Sequence, residues 1–248
     1  MTRPPRFAID SPPSLEGLAT IAGPELHHLR DVARLGPGDH AVLIDREGRE
    51  HLATIIRYER DSAVAQVRDL IATGPPRSSL ILAQAIIRGA RMDFIVEKAA
   101  ELGATELWPF TSARTVSHGA GAQKIARWRR LAVAACKQSL LAPPMAIREV
   151  RAFLDLIPAR ARDTLAVVCA EGAEPLSLLL EREQPRALLI ACGPEGDFDS
   201  VELDAAASAG FVRAGLGPGR LRSETAALSA LAISSEWLTR ETWRTTER

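Results

Sequence analysis

Two glycine-rich segments near the end of the chain each follow a short apolar run, and this pairing constrains the fold more than any other feature. Residues 192–198 follow the apolar run 187–191, and residues 216–226 follow the run 211–215. Each pattern predicts a β-strand that ends in a tight turn and then opens a helix. In an open α/β sheet, ligands bind beside such carboxyl strand ends. The two segments together therefore predict a pocket rather than two simple connections.

Composition limits the class of protein. The chain has 248 residues, of which 46% are apolar and 25% charged, as in a soluble globular protein of one large or two ordinary domains. No apolar stretch approaches the roughly 20 residues that span a bilayer, and the first residues lack the apolar core of a signal peptide. Cys136, Cys169 and Cys192 are scattered and odd in number. They fit neither a disulfide framework nor a metal cluster, which predicts a reducing cytoplasm and no bound metal.

Charge is balanced overall but uneven along the chain. The net charge of zero argues against a protein that coats nucleic acid by bulk electrostatics. Between residues 77 and 130, however, nine basic residues stand against four acidic ones. Such a region favours local docking on phosphates, with specificity supplied elsewhere. A solvated helix surface is the simpler alternative.

The chain divides at a Gly/Pro/Ser cluster, residues 72–79. Before this cluster, a helix over 25–34 precedes three short strand patterns, and a turn over 45–48 joins the first two of them. These patterns predict a small half-open β-barrel. The predicted strands are 39–45, 51–58 and 62–70.

After the cluster, strand and helix patterns alternate, which predicts an α/β domain with a parallel sheet and helices on both faces. The predicted strands are 80–86, 106–110, 164–169, 187–192 and 211–216; the clearest helices are 92–102, 123–141 and 224–240. Asp199 and Glu202 predict a capping box for the helix that follows the first glycine-rich segment, and Gly210 its end. Ser223 is predicted to cap the last helix.

The two segments lack the known phosphate-binding motifs, which limits the kinds of ligand that the pocket can bind. Neither a Walker phosphate loop nor a G-x-G-x-x-G fingerprint occurs at a strand–helix turn. What remains is a pocket of backbone atoms and apolar side chains, with Arg222 and Glu224 at its edge. Such a lining suits an adenosyl group held by backbone hydrogen bonds.

These residues resemble the RsmE family of bacterial N3-uridine methyltransferases, which belong to the SPOUT superfamily. The similarity runs essentially end to end, and the stretch 221–226 (LRSETA) is its most specific part. It is carried by 193–198 (GPEGDF), 216–218 (LGP), 221–226, 88–103, 134–139 and 28–39. The resemblance implies a PUA-like β-barrel over residues 1–72 and a trefoil-knotted SPOUT domain over residues 73–248.

The resemblance also implies an activity: S-adenosylmethionine-dependent methylation of N3 of a uridine in 16S rRNA of the small ribosomal subunit, by a cytoplasmic homodimer. Arg222 would stabilise the developing uridine anion, and Glu224 would orient Arg222 or handle the N3 proton. A structural ion pair of the two beside a helix start is the alternative. Glu195 would stabilise its turn or act as a base. The implied cofactor-binding residues are Cys169, Gly193, Glu195, Gly196, Leu216, Gly217, Pro218 and Leu221.

The RNA-contact surface is expected on basic residues, namely Arg34, Arg88, Arg91, Lys124, Arg127 and Arg130. Several positions on and near this surface depart from the family pattern; they are Asp31, Ala113, Lys137, Leu140, Leu141, Gly219 and Arg220. Two other functions therefore stay open: an RNA-binding module without catalysis, and a small-molecule enzyme that uses another nucleotide.

Overall fold

The computed structural model describes residues 4–45, 49–72, 78–115, 121–139, 141 and 143–246. The middle of the predicted linker, most of the predicted 45–48 turn and Leu140 lie outside these residues. The chain forms two compact units, Met1–Arg77 with Cys136–Pro144, and Ser78–Ala135 with Met145–Arg248. No change in composition marks the Cys136–Pro144 segment, so the sequence did not assign it to the first unit.

The described residues of the first unit form a five-stranded sheet and a short helix that continues into a π-helix. The strands are β1 (Arg6–Ala8), β2 (Leu18–Ala22), β3 (His40–Ile44), β4 (Glu50–Tyr58) and β5 (Ser62–Ala72), in the order β1-β3-β4-β5-β2. The β1–β3 pair is parallel and the others are antiparallel. Helix α1 (Pro24–His27) continues as a π-helix over His28–Val32. Strands β1 and β2 were not predicted, because β1 has only three residues and the β2 sequence LATIA shows no strict alternation of apolar and polar residues.

Irregular pairing between β4 and β5 bends this sheet. The register shifts at three places, between Glu50 and His51, Leu52 and Ala53, and Ile55 and Arg57. Bulges of this kind increase strand twist, as a small barrel requires. One face buries an apolar core that includes Phe7, Ile21, Leu29, Leu43 and Ile55. The unit is therefore the small β domain that the sequence predicted.

The second unit is a seven-stranded parallel sheet in the order β12-β10-β11-β6-β7-β8, with β9 also paired to β7. Its strands are β6 (Leu80–Ala85), β7 (Glu106–Thr111), β8 (Ala146–Ile147), β9 (Arg151–Ala152), β10 (Leu165–Cys169), β11 (Leu188–Cys192) and β12 (Val212–Ala214). Its helices are α2 (Ala90–Glu101), α3 (Ala122–Ser139), α4 (Phe153–Leu156), α5 (Leu176–Glu183), α6 (Ser200–Ser208) and α7 (Ser223–Thr246).

Both faces of this sheet are buried. Successive side chains of a strand point to opposite faces of the sheet, and every residue of the central strands β6 and β11 is buried. Leu80 and Leu82 join one core with residues of α2, α3, α5 and α7. Ile81 and Ala83 join a second core on the other face with residues of α4 and α6. The predicted α/β domain with helices on both faces of a parallel sheet is confirmed. Among the described helices, none combines the length and apolar character needed to cross a membrane.

Helix boundaries test the capping predictions. At α6, the Asp199 side chain accepts from the Glu202 amide at 2.8 Å and the Glu202 side chain accepts from the Asp199 amide at 3.0 Å, so the capping box is confirmed. The predicted cap at Ser223 is wrong by one residue. Ser223 is already helical, and the first helical hydrogen bond of α7 runs from the Ala226 amide to the Arg222 carbonyl at 2.8 Å.

Close backbone contact fixes the second glycine-rich segment against the loop before α5. The Gly215 amide donates to the Glu174 carbonyl at 2.7 Å, and the Leu176 amide donates to the Gly215 carbonyl at 2.9 Å. A Cβ at Gly215 would lie 2.6 Å from the Ala173 carbonyl oxygen, so only glycine fits there. The trefoil knot that the resemblance implies stays a prediction.

Candidate functional site

The carboxyl ends of β10, β11 and β12 surround a cavity of about 320 Å³, which falls in the size range of small-molecule sites. The two glycine-rich segments form two of its walls, and the end of β10 forms the third. The lining residues are 169–171, 192–195, 197, 216, 217, 219–223 and 226. The prediction of a single pocket between the two segments is confirmed.

Most of the predicted site residues meet at this cavity. Those that line it are Cys169, Gly193, Glu195, Leu216, Gly217, Leu221 and Arg222. Gly196, Pro218 and Glu224 lie beside the lining residues rather than among them. The Gly196 carbonyl instead accepts a hydrogen bond from Arg114 Nη1 at 2.9 Å. Direct cofactor contact by Gly196 and Pro218 stays a prediction.

The first segment turns sharply and is anchored by an aromatic side chain. The Asp197 amide donates to the Pro194 carbonyl at 3.0 Å, and Asp197 has a φ of +63°. Phe198 is buried, with its ring 4.6 Å from the Phe153 ring centroid. A Cβ at Gly193 would approach the Phe198 ring to 3.0 Å. Glycine at 193 thus lets the cavity wall pack directly on the buried core.

A chain of buried hydrogen bonds ties the two segments together. Gln84 Nε2, at the end of β6, donates to Ser223 Oγ at 2.9 Å. Ser223 Oγ in turn donates to the Gly193 carbonyl at 2.6 Å. This explains why Ser223 does not cap its own helix: its hydroxyl joins α7 to the first segment. Sequence reasoning missed Gln84, although an amide inside the apolar run 80–85 was an available signal.

Backbone atoms are accessible at the second segment. Gly217 has a φ of +149°, which disfavours residues with a side chain, and an added Cβ would meet no atom within 4 Å. The wall at Gly217 therefore offers its amide and carbonyl groups to a ligand without an intervening side chain.

Arg91 joins two acidic residues, one from each glycine-rich segment. Its Nη2 atom donates to Glu195 Oε1 at 2.6 Å, and its Nη1 atom lies 3.6 Å from Glu224 Oε2. The Glu224 side chain is only 13% exposed. Arg91 was expected on the RNA-contact surface, but its guanidinium is already engaged beside the cavity. The sequence could not reveal this, because 91, 195 and 224 are distant along the chain.

Arg222 is the cation that the sequence predicted to act at this cavity. Its side chain is exposed, it lines the cavity, and within the described part of the chain no carboxylate or carbonyl engages its guanidinium. This differs from the alternative in which Arg222 and Glu224 pair with each other, because Glu224 faces Arg91. A cation at the mouth of an adenosyl-sized cavity can stabilise negative charge that develops on a second substrate.

The remaining predicted basic residues do not form one uniform surface. Arg127 is paired with Asp93 at 2.9 Å, and Trp128 Nε1 also donates to Asp93 at 3.0 Å. Lys124 and Arg130 are exposed on α3, and Arg88 is exposed between β6 and α2. Arg34 belongs to the first unit and has a φ of +54°. The charge of the α3 surface is thus partly compensated at Arg127.

Two thiols meet at the cavity wall. Cys192 Sγ lies 3.6 Å from Cys169 Sγ, and Cys192 is 1% exposed. The hydrogen bond to Cys169, together with burial, raises the pKa of the Cys192 thiol well above its usual range. Among the described residues, no group of three His, Cys, Asp or Glu side chains is placed to hold a metal ion.

Known protein families match both units of the chain. The RNA methyltransferase domain matches residues 74–235, and the RNA methyltransferase PUA domain matches residues 21–68. Two relatives are ribosomal RNA small subunit methyltransferases E. The one from Mycobacterium bovis is 29% identical over 93% of this chain and 92% of its own length. The one from Bacillus subtilis is 28% identical over 88% and 91%.

Solved structures show the same fold. The ribosomal RNA small subunit methyltransferase E from Neisseria gonorrhoeae, bound to S-adenosyl methionine, aligns with a TM-score of 0.81 and 28% identity. The alignment covers 94% of this chain and 98% of that protein. A probable rRNA methyltransferase from Porphyromonas gingivalis aligns with a TM-score of 0.78 and 27% identity, over 98% and 100% of the two chains.

Proposed function

Since this chain belongs to the RsmE family of ribosomal RNA small subunit methyltransferases, we propose that it methylates N3 of a uridine in 16S rRNA. S-adenosylmethionine is the methyl donor, as in the solved relative that is bound to it. The observation that carries the proposal is the single cavity built from both glycine-rich segments and held together through Ser223.

The cavity suits the cofactor in size and chemistry. Its volume of about 320 Å³ accommodates a ligand of this size, and its walls combine apolar side chains with accessible backbone at Gly217. Gly193, Leu216, Gly217 and Leu221 would hold the adenosyl and methionine groups, with Cys169 on the third wall. When bound, S-adenosylmethionine supplies a methyl group on a sulfonium, which needs no covalent catalysis by the protein.

The protein must activate the uridine and align it. N3 is a poor nucleophile until it loses its proton, and the resulting negative charge spreads onto O2 and O4. Arg222 provides a cation for that charge at the cavity mouth. Glu224 handles the N3 proton, and Arg91 holds the Glu224 carboxylate in place. With both substrates bound, the cavity walls would align the reacting atoms and exclude water.

RNA binding is proposed to rest on phosphate contacts from basic residues. Lys124 and Arg130 are exposed, so their charges are available to the rRNA backbone, and the exposed Arg88 is proposed to add a contact beside them. Arg34 and Arg127 are proposed to add further contacts. The target uridine would leave its stack to enter the cavity. We propose that the enzyme acts as a homodimer in the cytoplasm, where its ribosomal substrate is assembled.

Mass spectrometry of ribosomal RNA tests the proposed function. Cells that lack this gene should lose N3-methyluridine from 16S rRNA, and the intact gene should restore it. A gene carrying Arg222→Ala should not restore the modification, although the variant protein should still bind S-adenosylmethionine in calorimetry. An unchanged N3-methyluridine signal in the deletion strain would refute the substrate assignment. The cofactor assignment would still be tested separately, by the calorimetric binding measurement.

A further inference from the structure

Two cysteines from neighbouring strands meet side by side in the cavity wall, where methyl transfer requires no thiol. Cys169 ends β10 and Cys192 ends β11, and these parallel strands are in register at Val168 and Ala191, one residue earlier. Both side chains face the same core cluster. Their sulfur atoms are 3.6 Å apart, which is van der Waals contact.

The backbone geometry is compatible with a disulfide bond. Adjacent strands lie about 4.8 Å apart, and disulfides join Cα atoms separated by about 4.4 to 6.8 Å. The sulfur atoms would have to approach by about 1.5 Å to reach the usual S–S length near 2.05 Å. Because both cysteines stand at strand ends, next to glycine-rich or turn residues, the chain can make this adjustment locally.

We propose that Cys169 and Cys192 form a modification site at which a hydroperoxide converts the two thiols to a disulfide and thereby closes the cavity to its ligand. Cys169 lines the cavity and is only partly buried, whereas Cys192 is 1% exposed. A reagent that enters the cavity therefore reaches Cys169 first.

The reaction balances with the hydroperoxide as the sole oxidant. Cys169 Sγ attacks the distal peroxide oxygen, the O–O bond breaks, and a sulfenic acid forms as the alcohol or water leaves. Cys192 Sγ then attacks the Cys169 sulfur and the S–O bond breaks, releasing water that carries the Cys192 proton. The hydrogen bond to Cys169 and burial raise the pKa of the Cys192 thiol and disfavour its thiolate, so Cys169 reacts with the peroxide first. Oxidation of Cys169 removes that hydrogen bond, the largest cause of the rise, and Cys192 then attacks.

The disulfide would move two cavity walls. Cys192 immediately precedes Gly193, which accepts the hydrogen bond from Ser223. Cys169 precedes the loop that packs against Gly215. Displacement of both walls should weaken S-adenosylmethionine binding by about tenfold, which corresponds to about 1.4 kcal/mol of lost contacts. This consequence rests on the proposed function, whereas the disulfide itself does not.

The test uses the full-length protein with Cys136→Ser, which removes the third thiol. After hydrogen peroxide treatment and alkylation, peptide mass spectrometry should find a Cys169–Cys192 linked peptide that disappears with dithiothreitol. Cys169→Ser and Cys192→Ser should each abolish this peptide. Phenylarsine oxide, which needs two neighbouring thiols, should bind the reduced protein at one equivalent and neither variant.

Binding measurements separate this inference from the proposed function. Peroxide should raise the Kd for S-adenosylmethionine in the Cys136→Ser protein but not in the Cys136→Ser/Cys169→Ser protein, and dithiothreitol should reverse the change. Sulfinic acid at Cys169 without a linked peptide, or a linked peptide with an unchanged Kd, would overturn the inference. A linked peptide in a protein that binds no S-adenosylmethionine when reduced would support the modification site and refute the cofactor assignment.

Discussion

At the scale of single residues, Arg222 is the side chain whose charge has the clearest catalytic use. It lines the cavity, and within the described chain no acidic partner neutralises it. We expect Arg222→Ala to lower the single-turnover methylation rate by about 10²- to 10³-fold, the effect of removing one oxyanion donor. Arg222→Lys, which keeps the charge but loses the planar fork, should recover part of the rate. Unchanged methylation by Arg222→Ala, at equal cofactor affinity, would refute the assignment.

The Glu224 carboxylate contacts Arg91 instead of Arg222, so Glu224 either accepts the N3 proton or only forms an ion pair. If Glu224 accepts the N3 proton, the isosteric change Glu224→Gln should reduce the single-turnover rate by about 10²-fold or more. Arg91→Ala removes the cation that positions Glu224, together with its contact to Glu195, but keeps the Glu224 carboxylate, so its effect should be clearly smaller. Single-turnover rates of the two variants, measured with saturating cofactor and rRNA, test whether Glu224 accepts the N3 proton. Equal losses in both variants would mean that the ion pair serves structure alone.

At the scale of the elements, the contact between α7 and the first glycine-rich segment depends on one hydroxyl. Ser223→Ala would leave the Gly193 carbonyl without the Ser223 donor and would remove one of the two acceptors of Gln84 Nε2, which also donates to the Ala85 carbonyl at 2.9 Å. We expect the free energy of unfolding to fall by about 1–3 kcal/mol and the Kd for S-adenosylmethionine to rise. Urea denaturation and calorimetry measure the two effects. Ser223→Thr keeps the hydroxyl and is the matched control. It should retain most of the stability and most of the affinity for S-adenosylmethionine.

An ion pair between Glu106 of β7 and Arg148, the residue that follows β8, gives the stability of the fold a pH dependence. Burial alone would raise the pKa of Glu106 in β7, but hydrogen bonds from Arg148 and Trp108 and the charge of Arg148 outweigh it and hold the pKa below its usual range. A carboxyl with a lowered pKa stabilises the fold above the pKa of the unfolded chain. This contribution is lost as the pH falls through the lower, folded-state pKa.

Glu106→Gln should therefore lower the free energy of unfolding at neutral pH and leave it unchanged at a pH where wild-type Glu106 is protonated. The loss should be about 1 kcal/mol or less, because the Arg148 side chain is 59% exposed and well screened. Urea denaturation across the acid range measures it. The control is Glu149→Gln, which breaks the ion pair between Glu149 and Arg129. Because these side chains are 70% and 53% exposed, respectively, this variant should change the free energy of unfolding little. A constant difference at all pH values would contradict this explanation.

At the scale of the whole molecule, the sequence predicted what depends on local pattern. The strand β6 was predictable because its residues are apolar on both faces, and the cap of α6 because Asp199 and Glu202 have the required spacing. Strands β8 and β9 have two residues each, too few for any periodicity. The contact of Arg91 with Glu195 and Glu224, and that of Cys169 with Cys192, depend on strand order. Strand order is a property of tertiary structure that a local pattern does not encode.

Binding of rRNA should depend on salt much more strongly than binding of the cofactor, because it rests on charges that release counterions from phosphates. Lys124 and Arg130 are exposed on α3 and lie outside the cavity lining. The double variant Lys124→Ala/Arg130→Ala should bind rRNA more weakly and reduce the slope of log K against log salt by about 1.5 to 2. Its affinity for S-adenosylmethionine should equal that of the wild type.

The matched control is Arg186→Ala, because Arg186 is exposed just before β11, at the opposite end of the strand from the cavity. Filter binding of 16S rRNA over a range of potassium chloride concentrations gives the slopes for all three proteins. If the double variant and Arg186→Ala share the wild-type slope, the rRNA contacts lie elsewhere on the molecule. If both reduce it equally, the attraction is unspecific, and the exposed residues of α3 do not form a dedicated surface for phosphates.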